Sequence, residues 1–197
     1  MPPSAGATNL LAMLPRRLPS AAAALLLAVL TLGLGCGGPS EEGAKREGLD
    51  IELGGVTYNV FITRQLNLLD PEDADYFKGP DPAPGSTYYG VFLRACNAGE
   101  APVQAAGSFK IVDTFGAEFE PVELPPENVF AFRARQVAPE ECIPVEASAA
   151  ATGPTGGSLL VFELPVAAGE NRPLELEILG FDPAEGKQEA IRVELDI

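Results

Sequence analysis

Beyond Leu34 no stretch of ten residues carries apolar side chains at helical spacing; they come instead in short alternating runs cut by proline and glycine. Alternation puts residues i, i+2 and i+4 on one face of a strand, and Pro and Gly end such runs. Over residues 55–63, Val56, Tyr58, Val60 and Ile62 share one face. Over residues 88–96, Tyr89, Val91, Leu93 and Ala95 take one side and Phe92 and Cys96 the other. Two apolar faces place that strand in the middle of a sheet. Residues 109–112 and 118–122 read as a hairpin around Asp113-Thr114-Phe115-Gly116, where the glycine supplies an unusual backbone angle. Residues 130–132 read as a short strand. Residues 142–145 read as an edge strand, because Pro144 cannot donate to a ladder. The runs 158–164, 174–178 and 191–197 complete the set. Seven to nine short strands predict an all-β, two-sheet immunoglobulin-like sandwich. A closed barrel is the structural alternative, since periodicity identifies strands and not their partners.

The N-terminus follows different rules. Arg16 and Arg17 precede an almost unbroken apolar run over residues 21–34, and Gly35-Cys36 follows. A basic segment, a short apolar segment and small residues before a cut describe an export signal over residues 1–35. The run is shorter than the roughly twenty residues a spanning helix needs, so a retained membrane helix is the weaker reading. Leu32-Gly33-Leu34-Gly35-Cys36 resembles the lipobox of bacterial lipoproteins. That resemblance implies cleavage before Cys36, lipidation of Cys36 and an extracytoplasmic chain held on the cell membrane by its N-terminal lipid. Gly35 fits the small residue expected before the cut, while Gly33 stands where leucine is usual. Ordinary secretion with an unmodified Cys36 is the competing reading. Residues 36–50 are then the lipidated cysteine and a flexible tether, rich in glycine and charge (Glu41, Glu42, Lys45, Arg46, Glu47). About twelve such residues reach a root-mean-square distance of about 20 Å. Residues 51–197 are left as the sandwich domain.

The chain has 28 acidic and 13 basic residues, a formal charge of −15. Removing the signal takes Arg16 and Arg17 and no acid, which leaves 11 basic residues and a charge of −17. Nucleic acid is bound largely through cations that neutralise its phosphates, so it is not an expected partner. Histidine is absent, and both methionines, Met1 and Met13, lie in the signal. Soft-metal sites and Cys–His nucleophiles therefore lack their usual ligands and bases. No cofactor is expected. In an exported chain Cys96 and Cys142 are expected to form a disulfide. Loop-closure theory assigns such a link about 4 kcal/mol.

Residues 89–100, Tyr89-Gly90-Val91-Phe92-Leu93-Arg94-Ala95-Cys96-Asn97-Ala98-Gly99-Glu100, resemble the strand and Asn-x-Gly turn of the immunoglobulin-like domains common in bacterial lipoproteins. Residues 109–119 match the next element of that family, an aromatic strand followed by Asp-x-x-Gly, and residues 160–165 match its Val-Phe-Glu-Leu-Pro strand. The resemblance spans about residues 56–197 and implies the sandwich and its envelope location. The long connection over residues 64–86 and the Cys96/Cys142 pair depart from the family pattern.

That connection is also the best candidate site. More than twenty residues without periodicity are unusual inside a compact domain. Asp70, Asp73 and Asp75, with Glu72, offer hard oxygen ligands of the kind calcium takes. The spacing fails the EF-hand ladder, so a solvated acidic loop competes with a calcium site. Tyr76 and Phe77 are the natural anchors of the loop. Tyr76, Phe77, Phe132 and Arg133 are either core packing or a recognition surface for an envelope protein or glycan. Abundant acids meet the spacing of a glycosidase pair by chance, and no nucleophile elbow or phosphate loop is present. The expectation is a non-catalytic, surface-tethered module that binds or spaces envelope components. A calcium- or small-ligand-binding accessory domain is the rival, and a hydrolase stands third.

Overall fold

The computed structural model describes residues 43–183 and 186–197. The expected export signal, Cys36 and residues 37–42 of the expected tether lie outside the described residues. Two short strands, β1 (Lys45–Arg46) and β2 (Asp50–Leu53), lead through Gly54 and Gly55 into β3 (Val56–Leu66). Both glycines have positive φ, 58° and 80°. A two-residue hairpin needs this to match the strand twist. A side chain on Gly54 would also meet the backbone carbonyl of Phe181, so the position is closed twice over.

Helix α1 (Pro71–Tyr76) and β4 (Ser86–Cys96) follow. Next come β5 (Val103–Gln104), β6 (Ser108–Val112), β7 (Glu118–Phe119), β8 (Gln136–Val137), β9 (Cys142–Ile143) and the short helix α2 (Ala149–Thr152). The chain closes with β10 (Ser158–Pro165), a 3-10 turn (Val166–Glu170), β11 (Leu174–Asp182) and β12 (Lys187–Leu195).

One sheet has the order β10-β4-β3-β2, with β9 added to the end of β4; the other runs β1-β12-β11-β6-β7. A two-stranded ribbon, β5-β8, forms a third sheet. The described residues thus form an all-β, sandwich-like fold of twelve strands in three sheets, consistent with an immunoglobulin-like sandwich. The sequence predicts only two sheets and seven to nine strands. The strands that alternation does not anticipate are β1, β5 and β8, each two residues long, and the four-residue β2. Two residues carry no period, so sequence alternation is blind to the first three.

The main core lies between the two large sheets. Val56, Tyr58, Val60, Val91, Leu93, Phe162 and Leu164 face Phe109, Ile111, Leu174, Leu176, Ile178, Val193 and Leu195. Each such side chain, fully buried, contributes about 1.5–3 kcal/mol of transfer free energy. A second core covers the outer face of the β4 sheet, where Leu66, Tyr88, Phe92, Leu159 and Val161 pack under Tyr76, Phe77, Leu124 and Ala131. The central strand β4 therefore has both faces buried, as its two apolar faces predict.

Two expectations change. Ile62 does not share the inward face of Val56, Tyr58 and Val60. The pairing with β4 slips between Val60 and Ile62, a β-bulge that leaves Phe61 unpaired and turns Ile62 outward. Residues 130–132 are not a strand. Asn128 accepts the N–H groups of Phe130 and Ala131 through its side chain. That capture bends the segment so that only a single bridge, Ala131 to Leu159, joins it to β10. The edge position expected near Pro144 is found: β9 stops at Ile143 and pairs only with Ala95 and Cys96.

Candidate functional site

The acidic connection folds because its first residues are a helix start. Asp70 caps α1, its side chain accepting the Glu72 N–H at 2.9 Å, and Pro71 occupies the first turn, where no N–H is needed. Asp73, on the buried face of α1, accepts the Asn67 N–H at 2.7 Å and pairs with Arg64 at 2.6 Å. Glu72 meets the same guanidinium at 3.3 Å. That guanidinium also lies over the rings of Tyr76 and Phe92, 5.8 and 5.7 Å from their centroids. Such placement adds a cation–π attraction to the ion pair. Arg64 thus clasps α1 to β3 and β4.

The three carboxylates considered for a cation are dispersed by this helix instead. Asp70 is the cap, Asp73 is turned inward to Arg64, and exposed Asp75 pairs with Lys78, at 3.9 Å. Among the described residues no group of three or more His, Cys, Asp or Glu side chains is placed to hold a metal ion.

Tyr76, Phe77 and Phe132, considered above as a recognition surface, are instead buried, and in two different cores. Tyr76 stacks edge-on against Phe92 and Phe130 at 5.0 and 4.8 Å, and Phe77 against Tyr88 at 4.8 Å. Phe132 packs on Phe109 in the main core at 5.0 Å. A sheet apolar on both faces needs cover on both, and these rings provide it. The Arg133 guanidinium donates to the carbonyls of Leu124 and Pro125, at 2.9 and 2.6 Å, which ties down the covering segment.

Cys96 and Cys142 form a disulfide between directly opposed positions of β4 and β9. Cys96 lies on the side of β4 away from Tyr89, as the alternation predicts. Beside it Arg135 pairs with Glu141 at 3.0 Å and donates to the Cys142 carbonyl. The Arg135 hydrogen bond holds the Glu141 carboxyl below its ordinary value.

The solvent face of the other large sheet carries a cross-strand ladder of charge. Glu118, Lys110, Glu177, Arg192 and Glu175 are joined in that order at 2.6, 3.0, 3.1 and 3.6 Å. Hydrogen bonds from Lys110 to Glu118 and Glu177 raise the Lys110 pKa. Acid outward and apolar inward is ordinary sandwich surface, and each of these carboxylates has a cationic partner.

The described residues include two half-open cavities. One, of about 420 Å³, lies between Asp75 and Lys78 of the α1 segment and residues 125–130. The other, of about 300 Å³, lies among Phe109, Val122, Leu124, Phe132 and Leu159. No hydroxyl or thiol nucleophile lines either of them.

Sequence reasoning missed Glu47. Its two carboxylate oxygens accept the N–H of Thr63 on β3 at 2.8 Å and the N–H of Asp196, just past β12, at 3.1 Å. One side chain thereby joins both large sheets beside β1, which pairs in parallel with Val193 and Glu194 of β12. The far half of the expected tether is hence part of the sheet structure from Lys45 onward. Nothing in a run of charged residues marks one glutamate for this duty.

No protein-family model matches the chain, and no curated protein matches it. Solved structures similar to it include the yjhA protein from Bacillus subtilis, at 12% identity and a TM-score of 0.48, over 77% of this chain and 99% of that one. A second is a B. subtilis protein described as a "putative lipoprotein (ycdA)", at 8% identity and a TM-score of 0.44, over 76% of this chain and 39% of that one. A third is an uncharacterized β-sandwich protein from Clostridium difficile 630, at 11% identity and a TM-score of 0.40, over 79% of this chain and 99% of that one.

Proposed function

We propose that this chain is a lipid-anchored, non-catalytic β-sandwich module of a bacterial envelope, exported by residues 1–35 and acylated at Cys36. The observation that carries the reading is the pairing of cysteines. The chain has three, and Cys96 and Cys142 are joined to each other. Cys36 is left with no structural mate, behind an apolar run and a small residue. Acyl chains on one cysteine gain binding free energy with every methylene buried, so a lipid holds a soluble domain at a bilayer. Burial of the aromatic residues and dispersal of the acids support a scaffolding or partner-binding role over catalysis. Metabolic labelling with a clickable fatty acid in a bacterial host tests the anchor. The full chain is expected to take the label and sediment with membranes, and Cys36→Ala to lose the label and accumulate as precursor. Equal labelling of both chains would sink the proposal.

A further inference from the structure

We propose that the surface around the β3 bulge is a bilayer-docking patch, with phospholipid headgroups as its occupant. This rests on the anchoring proposed above and adds which face of the domain meets the membrane.

Three features converge there. The bulge leaves Phe61 and Ile62 exposed at 37% and 39% in the middle of β3. Leu49, 54% exposed, lies in the turn next to them, where the Gly48 N–H binds the Val60 carbonyl at 2.7 Å and the Leu49 N–H binds the Arg46 carbonyl. Arg94 lays its guanidinium over the Phe61 ring, 5.3 Å from the centroid. Arg46 and Arg94 are both exposed and make no ion pair among the described residues, in a chain where acids outnumber bases two to one. An apolar cluster with the Arg94 guanidinium on its one ring, and Arg46 three residues before Leu49, is complementary to a headgroup layer: the ring and aliphatic groups enter the interface and arginine binds phosphate.

The place of the patch on the chain selects this occupant. Eight residues separate Cys36 from Lys45, where β1 begins. Eight extended residues span at most about 27 Å, and their root-mean-square reach is about 16 Å. Arg46 belongs to β1 itself, and the turn after it brings Gly48 against Val60, the residue before Phe61. A lipid on Cys36 would leave the start of β1, and the turn that follows it, within that reach of the headgroups. The acidic whole repels anionic lipid at long range. The patch accordingly acts after anchoring and does not recruit a free domain.

The chain has no tryptophan, so one introduced residue reports alone. Full-length chain bearing Phe61→Trp is isolated from membranes and reconstituted into phosphatidylcholine–phosphatidylglycerol vesicles containing brominated lipid. Phe115→Trp, at the 83%-exposed turn between β6 and β7, far across the sheet order from β1, is the control. Docking is expected to quench about half the emission of the Phe61→Trp chain, and to leave the Phe115→Trp chain unquenched. Adding Arg46→Glu and Arg94→Glu is expected to abolish that difference. If Phe61→Trp does not fold, Ile62→Trp gives the same readout. Vesicles that float with the protein while its emission stays unquenched would overturn the patch and leave the anchor standing. Protein that does not float would overturn both. Quenching equal at both positions overturns the patch. So does shielding of the Phe61→Trp chain in native envelopes but not in vesicles, which would assign the surface to an envelope protein.

Discussion

Asp73 and Asp113 are buried, and backbone N–H groups hold each of them. Asp113 opens the turn between β6 and β7. It accepts from the Asn171 side chain at 2.9 Å, from the Ala117 N–H at 2.8 Å and from the Phe115 N–H at 2.9 Å, while Gly116 takes a φ of 81°. The Asn171 amide first, then the Ala117 N–H, lower its pKa below the ordinary 3.8, against the opposing effect of burial. A carboxyl with a lower pKa folded than unfolded binds fewer protons in the native state, so stability rises with pH through that window. The contribution is complete above 3.8 and is lost as pH falls through the folded value. Asp113→Asn is expected to lower stability at neutral pH and to flatten the acid limb below 3.8, measured by denaturant titration at a series of pH values. Equal acid slopes for the two proteins would exclude Asp113 from the limb. This turn is legible in the sequence because an aspartate, two residues and a glycine suffice to make it. The Arg64–Asp73 pair is not, because it exists only once α1 has folded back on β3.

At the scale of elements, strands are legible and their irregularities are not. Alternation reads the apolar sides of β4 and β11 correctly because each spans enough residues to show a period of two. The bulge in β3 depends on how two strands pair, so Ile62 changes face without any local cue. Helix α1 has six residues, too few for a helical period, although Asp70-Pro71 states its start. What keeps so short a helix folded is packing rather than propensity. Tyr76 is its main anchor, 3% exposed between Phe92 and Phe130, with its hydroxyl accepting the Thr155 N–H at 3.1 Å. Tyr76→Ala is expected to cost about 3–5 kcal/mol, as large aromatic truncations in cores do. The loss should be local in its first signs. Hydrogen exchange should accelerate over residues 67–77 and 121–132 before it does in β11 and β12. Uniform acceleration across both sheets would mean that the outer core is not a separate cooperative unit.

For the whole molecule, the question is how the domain is joined to whatever holds it. Composition and the cysteine after the apolar run give the expectation of an anchored acidic sandwich, but they place its beginning near residue 51. The sheets begin earlier, at Lys45, and Glu47 is the reason the join is firm. Its carboxylate ties Thr63 of one sheet to Asp196 of the other, and the Glu47 N–H binds the Glu194 carbonyl at 3.1 Å. Hydrogen bonds to a charged acceptor contribute about 1.5–3 kcal/mol each where water is excluded; Glu47 is only partly buried, so its two are worth less. The strand itself adds only its two-residue parallel pairing with Val193 and Glu194 to the ladder. Glu47→Ala is expected to release β1 while the rest of the sandwich stays folded. Trypsin should then cut after Lys45 and Arg46 about tenfold faster, the change expected when local opening becomes easier by about 1.4 kcal/mol. The global denaturation midpoint should move little, because β1 adds few buried apolar groups. Glu47→Gln, which keeps one acceptor oxygen and loses the charge, should fall between the two. Cleavage unchanged in Glu47→Ala would mean that the hold of β1 on the two sheets does not depend on this glutamate.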